Sequence, residues 1–192
     1  AILAEALVTL LSGGTVVYPT ETAYGLGADF YSPTGYRSVY SIKYRNKAKP
    51  LPVLVPDMRF AATVVKFPPR AVELASKYWP GPLTLVLPFI YYREWPHHVS
   101  KFLGVRVSSN PLATSLSQAL GHPLISTSAN ISGKDLCYTV EDIISQFKGR
   151  SQQPDLVIDA GVLPTTSPST IVKISNDSFD VLRQGTITIP TL

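Results

Sequence analysis

The sequence predicts an α/β protein with helices packed on an open mixed sheet, and three observations support this fold class. Strand and helix patterns alternate from the N-terminus to Phe147, which is typical of α/β units. Beyond Leu156 the chain carries three short strand candidates with no helix between them, so we expect a mixed rather than a purely parallel sheet. The 192 residues match the usual size of one domain, and no fixed-period repeat or linker divides them. We therefore expect a single domain over residues 1–192.

The first half of the chain shows the alternation most clearly. Apolar residues at helical spacing predict a helix over 2–11, which Ser12-Gly13-Gly14 ends. A β-branched strand over 15–18 leads into a predicted loop over 19–27, and a helical pattern through Tyr44 begins after Pro33. The remaining predicted elements of this half are a strand over 51–55, helices over 58–65 and 69–78, a turn over 79–82 and a strand over 83–87.

The second half repeats the pattern before the strand-rich tail. Thr139 is a candidate N-cap for a helix that ends at Phe147, with Asp142 three residues on in place of the stronger Glu or Gln. The other predicted elements are a strand over 105–107, a helix over 111–120, a strand over 124–126, a loop over 127–133 and tail strands over 156–158, 170–174 and 179–182.

The composition excludes several classes of protein. Charged residues make up 16% of the chain and hydrophobic residues 45%, which excludes a disordered, charge-rich tail. The formal net charge of +4 permits an anionic partner but is too small to require nucleic acid. The lone Cys137 cannot form an internal disulfide and excludes a zinc ribbon, and the three histidines lack metal-ligand spacing. We expect no metal site in the protein itself.

Targeting signals are also lacking in the sequence. No apolar run reaches the length of a membrane span, and the first residues lack the basic region and cleavage site of a signal peptide. A single cysteine fits a reducing compartment. We therefore expect a cytoplasmic protein that does not associate with membranes.

The densest basic segment precedes Pro50. Lys43, Arg45, Lys47 and Lys49 alternate there with other residues. In an extended stretch alternate side chains share one face, so these four cations would converge on a polyphosphate. Taken alone, the segment is interpreted more simply as a solvated loop.

Two loops that follow predicted strands are further candidates. The loop over 126–133 is rich in hydroxyls and contains an amide, groups that suit phosphate or carboxylate oxygens. Its Ser-x-Asn spacing also occurs at Ser108-Ser109-Asn110, but the position after a strand favours Ser128 and Asn130. The loop over 19–27 has two glycines whose backbone amides would let an anion approach closely. None of these segments is a P-loop, a dinucleotide fingerprint or a hydrolase nucleophile elbow.

Taken together, these pieces resemble the YrdC/Sua5 family of threonylcarbamoyl-AMP synthases, and most closely its short, single-domain YrdC branch. They keep the family's order from about residue 13 to about residue 185. The resemblance implies a twisted α/β fold with a basic concave cavity. The matching segments are 18–27, Lys43-Tyr44-Arg45, 79–84, Val105-Arg106-Val107, 126–133, Pro168-Ser169-Thr170 and 182–185.

The resemblance also implies a set of site residues. The positions most closely tied to activity are Lys43, Arg45, Ser128 and Asn130. Family members hold threonine at the positions of Thr22, Arg106, Ser126 and Ser169, and ATP at those of Arg45, Lys49, Ser128 and Arg183. On chemical grounds we expect Arg106 to pair with the threonine carboxylate, Arg45 and Lys43 with phosphates, and Thr22 with the amine or hydroxyl side of threonine.

The implied reaction converts ATP, L-threonine and bicarbonate into threonylcarbamoyl-AMP and pyrophosphate. Mg²⁺ bound with ATP is the expected cofactor. The product would pass to the transferase machinery that forms threonylcarbamoyladenosine (t6A) in tRNA, and weak tRNA binding by this chain is compatible with that role.

The sequence departs from the family pattern at three places and leaves two alternatives open. Leu54 and Leu136 stand where some members have a substrate-contacting His and a nucleotide-contacting Ser, and Ser108-Ser109-Asn110 replaces a common Pro-x-His. One alternative is a non-catalytic RNA-binding module that uses the same basic cavity. The other is a carbamoyl-transfer domain of the hydrogenase-maturation type, which normally belongs to a much longer chain.

Overall fold

The computed structural model describes residues 1–95, 97–98, 100–176 and 178–189, and each predicted helix is present in it. Most strands also lie near their predicted positions, although the strand predicted over 51–55 shortens to two residues and that over 105–107 begins at Phe102. The elements are, in chain order, α1 Ile2–Leu11, β1 Thr15–Pro19, β2 Tyr24–Ala28, α2 Pro33–Lys43, β3 Val53–Leu54, α3 Met58–Val64, α4 Pro69–Tyr78, β4 Leu83–Pro88, β5 Phe102–Arg106, α5 Pro111–Leu120, β6 Leu124–Ile125, β7 Thr127–Ser128, α6 Val140–Phe147, β8 Leu156–Val157, β9 Thr170–Ile174 and β10 Phe179–Arg183.

The strands form two mixed sheets, which confirms the mixed α/β class but divides the expected single sheet. The four-stranded sheet has the order β7-β2-β1-β8, with β1 antiparallel to β2 and parallel to β8. The six-stranded sheet has the order β10-β9-β4-β5-β3-β6, with β4 parallel to β9 and antiparallel to β5. A bridge between Asp29 and Leu124 connects the end of β2 to the second sheet.

The segment 19–27 is only partly the loop that was predicted, because its second half forms strand β2. The glycines of this strand allow close packing: a Cβ on Gly27 would lie 2.7 Å from both Tyr18 Cε1 and the Ile125 carbonyl oxygen. Strand β2 pairs with β1 along its whole length and with β7 at Gly25 and Leu26, which makes this segment part of the sheet. The prediction of a loop over 127–133 is also wrong at Thr127 and Ser128, because these residues pair with β2 and form β7.

Local hydrogen bonds begin and end the helices that border the site. Ser32 accepts from the Gly35 amide at the start of α2, and the predicted Thr139–Asp142 capping box is confirmed at α6. Tyr44 ends α2 in the left-handed conformation, with φ 50°. Because the chain turns after Tyr44, the expectation of an extended segment with four cations on one face is wrong.

The core lies mainly between the sheets and the helices that cover them. Buried residues such as Val17, Leu85 and Val105 belong to the larger apolar cluster, and Cys137 is buried in it with a free thiol. A smaller cluster joins α1 and α5 to the outer face of β1. Within the described ranges, no helix is both long enough and apolar enough to cross a membrane.

Candidate active site

The main cavity has a volume of about 340 Å³ and lies between the two sheets. Its walls come from β2 and β7 of the four-stranded sheet and from β3, β4, β5, β9 and β10 of the six-stranded sheet. Such a cleft is large enough to enclose a small ligand. Among the residues on its walls are seven that the sequence singled out: Thr22, Arg45, Arg106, Ser126, Ser128, Ser169 and Arg183.

A second cavity of about 330 Å³ adjoins the first and shares Arg45 and Ser128 with it. Its walls include Lys43, Lys49 and Asn130. All ten sequence-predicted residues therefore line one or both of two neighbouring cavities, although they come from segments that are far apart in the chain.

Lys43 is only 2% exposed, and its ammonium group points at the loop that follows β7. Nζ donates to the carbonyl oxygen of Ser128, to that of Asn130 at 2.7 Å and to Asn130 Oδ1 at 3.3 Å. Burial, and to a smaller extent the Arg45 charge, lowers the pKa of Lys43 to about 7, while the surrounding oxygens favour the protonated form. In this structure Lys43 thus holds the Ser-x-Asn loop in place, and a direct contact with phosphate stays a prediction.

Arg45 and Lys49 lie at the junction of the two cavities. Arg45 donates from Nε to the Lys49 carbonyl at 3.3 Å and from Nη2 to the Pro50 carbonyl at 3.1 Å. These contacts orient the guanidinium without neutralising it. Burial lowers the pKa of Arg45, but arginine remains charged at neutral pH. Lys49 is exposed, so its ammonium group is free to follow a ligand.

Arg106 ends strand β5 with its guanidinium against the cavity wall. Nη2 lies 2.8 Å from Glu21 Oε1 and 3.3 Å from Thr22 Oγ1, and the side chain is 11% exposed. Its Nε is buried and has no hydrogen-bond partner in the structure. A buried N–H donor without a partner is costly, so this group favours an acceptor brought by a ligand.

Glu21 is a charged residue of the site that sequence reasoning missed. Its carboxylate accepts from the Ser108 hydroxyl and from the Ser109 amide at 3.3 Å as well as from Arg106. Burial opposes ionisation, but the Arg106 charge and the hydrogen bonds outweigh it, so the pKa of Glu21 lies below its ordinary value. The available signal was an acidic residue between two threonines in a loop directly after a buried strand.

Arg183 and Ser169 form another part of the wall of the main cavity. Arg183 donates from Nε and Nη2 to the Ser169 carbonyl at 3.0 and 2.8 Å, and from Nη2 to Ser169 Oγ at 3.0 Å. Ser169 Oγ in turn lies 3.0 Å from Thr84 Oγ1. Burial, followed by the charge of Arg106, lowers the pKa of Arg183.

The charge of the main cavity favours anionic ligands. Three arginines lie on its walls, whereas none of the described lining residues is Asp or Glu. The described part of the chain also contains no group of three or more His, Cys, Asp or Glu side chains suited to a metal ion. Oxygen-bearing anions are the ligands that arginine forks and neutral hydroxyls bind best.

Comparison with known proteins identifies the family of this chain. A family model named Sua5_yciO_yrdC, with the description "Telomere recombination", matches residues 8–185. The chain belongs to this Sua5/YciO/YrdC family. A relative from Methanocaldococcus jannaschii is 36% identical over 95% of this chain and 85% of its own length, and its name assigns it threonylcarbamoyl-AMP synthase activity provisionally.

Two longer proteins of the Sua5/YciO/YrdC family share the domain. The threonylcarbamoyl-AMP synthase of Bacillus subtilis is 31% identical over 97% of this chain and 54% of its own length. Sua5 from P. abyssi, solved in complex with L-threonine, is 29% identical with a TM-score of 0.86, over 95% of this chain and 54% of that one. This chain therefore spans about half the length of both proteins.

The positions that depart from the Sua5/YciO/YrdC pattern also border the site. Leu54 and Leu136 line the main cavity and give it apolar surface at the two positions where the family pattern includes His and Ser. Ser108 holds Glu21, and Asn110 caps α5 by accepting from the Leu112 and Ala113 amides. Ser108 and Asn110, the first Ser-x-Asn pair, therefore make local structural hydrogen bonds, whereas Ser128 and Asn130 line the cavities.

Proposed function

We propose that the protein is a threonylcarbamoyl-AMP synthase, which converts ATP, L-threonine and bicarbonate into threonylcarbamoyl-AMP and pyrophosphate. The observation that carries this proposal is a cavity between two sheets with three arginines on its walls and no described carboxylate lining it. An adjoining cavity adds two lysines. Two relatives at 31–36% identity carry this enzyme name, and a structural neighbour was solved with L-threonine.

The proposed chemistry needs positioning more than covalent catalysis. The neutral amine of threonine attacks the carbon of bicarbonate or CO₂ and forms a carbamate; a C–N bond forms, and water leaves when bicarbonate reacts, whereas a proton leaves when CO₂ reacts. A carbamate oxygen then attacks the α-phosphorus of ATP in line, a new P–O bond forms, and the bond to the pyrophosphate leaving group breaks. The protein must hold ATP beside the carbamate of threonine, both of which are anionic, and offset the charge that develops on the phosphate oxygens.

The residues of the two cavities suit these tasks. We assign the threonine carboxylate to Arg106, whose buried Nε lacks a partner, and the amine or hydroxyl side of threonine to Thr22. Ser126 and Ser169 would complete that end. The nucleotide phosphates would lie toward Arg45, Lys49 and Ser128, where the cavities meet, and Arg183 of the main cavity would also contact the nucleotide. Lys43 would act there by fixing the Ser128–Asn130 backbone.

Mg²⁺ would enter as part of the ATP substrate. The described residues offer no carboxylate cluster that would bind the ion on its own. Mg²⁺ commonly bridges phosphate oxygens and keeps several water ligands, so phosphate-bound Mg²⁺ requires no such cluster. The chain's own contribution is the cationic and hydroxyl surface around those phosphates.

Pyrophosphate release tests the proposed function. Wild-type protein is expected to release pyrophosphate from Mg-ATP and bicarbonate with L-threonine, and much less with glycine or valine. Arg45→Ala should lower the rate about 10²-fold or more, because it removes a phosphate-facing charge. Arg59→Ala removes an arginine that lines neither cavity and should leave the rate unchanged. Release that is independent of threonine would contradict the substrate assignment.

The RNA-binding alternative makes a different prediction. A module that grips only RNA phosphates would bind tRNA tightly with a steep salt dependence and would not turn over ATP. A salt titration of tRNA binding beside the pyrophosphate assay separates the two functions. With the synthase function, we further propose that the product passes to a t6A transferase and that the protein works in the cytoplasm, where ATP and tRNA are available.

A further inference from the structure

The two ends of the main cavity differ in how their positive charge is compensated. At one end Arg45 donates only to backbone carbonyls, so no described acid offsets its charge. At the other end the guanidinium of Arg106 pairs with the Glu21 carboxylate at 2.8 Å. Without Glu21, the positive charge of Arg106 would have no acidic partner among the described residues.

Glu21 acts on the cavity through Arg106. Glu21 does not line the main cavity, whereas Arg106 does. The carboxylate is fixed from behind by the Ser108 hydroxyl and the Ser109 amide, on the segment that directly follows the strand carrying Arg106. Its side chain is 16% exposed, so water screens the pair only weakly. This arrangement sets both the orientation and the effective charge of the guanidinium.

An arginine whose charge is partly neutralised by a carboxylate, as Arg106 is by Glu21, binds weakly charged anions in preference to strongly charged ones. Arg106 keeps a buried, unpartnered Nε–H for an acceptor, while Nη2 is occupied by Glu21 and Thr22. A single carboxylate needs few donors and little net charge. A phosphate or sulfate group carries about two charges and is repelled more strongly by the nearby Glu21 carboxylate. The Arg45 end offers the opposite conditions.

We propose that Glu21 is a specificity-determining residue that admits the monoanionic carboxylate of an amino acid to the Arg106 end and excludes phosphate groups from it. This inference rests on the proposed function, because it assigns the Arg106 end to threonine. It explains how one cavity would sort a zwitterionic amino acid from a polyanionic nucleotide without a separate binding domain.

Competition by sulfate, a phosphate mimic of fixed charge, tests the role of Glu21. Threonine-dependent pyrophosphate release is measured at saturating Mg-ATP, with sulfate as a competitor of threonine. The quantity compared is the ratio of the sulfate inhibition constant to the KM for threonine. Glu21→Gln should lower this ratio about tenfold, because it keeps the side-chain volume and removes the charge. The KM for ATP should stay within about twofold, since the Arg45 end is untouched.

Glu73→Gln is the matched control. Glu73 pairs with Arg70 at 2.7 Å on the surface of α4, so its variant makes the same change to a Glu–Arg pair away from the cavity. Its ratio should equal that of the wild type. An unchanged ratio in a folded Glu21→Gln variant would overturn this inference while leaving the proposed function intact. A wild-type protein without threonine-dependent release would overturn both.

A second variant covers the case in which Glu21→Gln does not fold. Ser108→Ala removes the hydroxyl that fixes the Glu21 carboxylate but keeps both charges of the pair. The carboxylate would then be held less firmly against Arg106, and the ratio should fall in the same direction but by less than tenfold. A folded Ser108→Ala variant with the wild-type ratio would count against the proposal.

Discussion

The buried ammonium group of Lys43 donates hydrogen bonds to three oxygens of the segment from Ser128 to Asn130, so its charge interacts within the protein. Lys43→Met keeps the aliphatic length and removes the donors, which leaves the Asn130 carbonyl and side-chain oxygens without their partner. We expect a loss of about 2–4 kcal/mol in the free energy of unfolding, measured by urea denaturation.

Lys47→Met is the control for this change, since Lys47 is exposed in the same segment. Its free energy of unfolding should stay within about 0.5 kcal/mol of the wild-type value. Equal effects of the two substitutions would show that the contacts of Lys43 contribute nothing beyond those of a surface lysine.

The Glu21–Arg106 pair makes stability depend on pH. Because the pKa of Glu21 is lowered in the folded protein, the unfolded chain binds its proton first as the pH falls. The contribution of Glu21 is therefore complete above its ordinary pKa and is lost as the pH falls through the lower, folded pKa. Wild type should exceed Glu21→Gln by about 1–3 kcal/mol at neutral pH.

Urea unfolding of both proteins between about pH 7 and about pH 3 checks this sign. The difference between wild type and Glu21→Gln should be constant near neutrality and shrink in acid. A difference that grows on acidification would contradict the lowered pKa of Glu21.

Among the secondary-structure elements, strand β2 has a packing contact that is too close for any residue other than glycine. A Cβ at position 27 would meet the Tyr18 ring and the Ile125 carbonyl at 2.7 Å, whereas at Gly25 the nearest atom is 3.3 Å away. Gly27→Ala should cost about 1–3 kcal/mol of unfolding free energy through overpacking. Gly25→Ala in the same strand should lower the free energy of unfolding clearly less. Urea denaturation of both variants measures the two losses, and a larger loss for Gly25→Ala would contradict this prediction.

The same strand marks a limit of prediction from sequence. Apolar spacing and capping residues such as Thr139 and Asp142 predicted the helices, because these signals act within a few residues. The glycines of β2 favoured the prediction of a loop. The segment is a strand because it pairs with β1, which is close in the sequence, and with β7, which lies far along the chain. Tertiary pairing decided the conformation there.

The site was predictable to a similar extent. The resemblance to the YrdC/Sua5 family implied ten site residues, and all ten line the two cavities, while their individual roles stay predictions. The sequence did not reveal that Lys43 points at backbone oxygens or that Glu21 lies behind Arg106, because both facts depend on contacts between residues about 85 positions apart.

For the whole molecule, the placement of the cavity between two sheets has a consequence for dynamics. Gly25 of β2 and Arg183 of β10 line the same space although they belong to different sheets. Strand β10 ends the six-stranded order and is mostly exposed, so it should open more readily than the fully buried β2. A ligand that contacts both walls would couple the two strands.

Hydrogen exchange measures this coupling. With Mg-ATP and threonine each at about 100 times Kd, openings that release the ligands should cost about 2.7 kcal/mol more per ligand. Exchange over 24–28 and 179–183 should then slow together, whereas exchange over 69–78 in α4, which lines neither cavity, should change only in its slowest, globally exchanging amides. Protection confined to one sheet would mean that the ligands use only one wall, and it would argue against a reaction carried out between the two sheets.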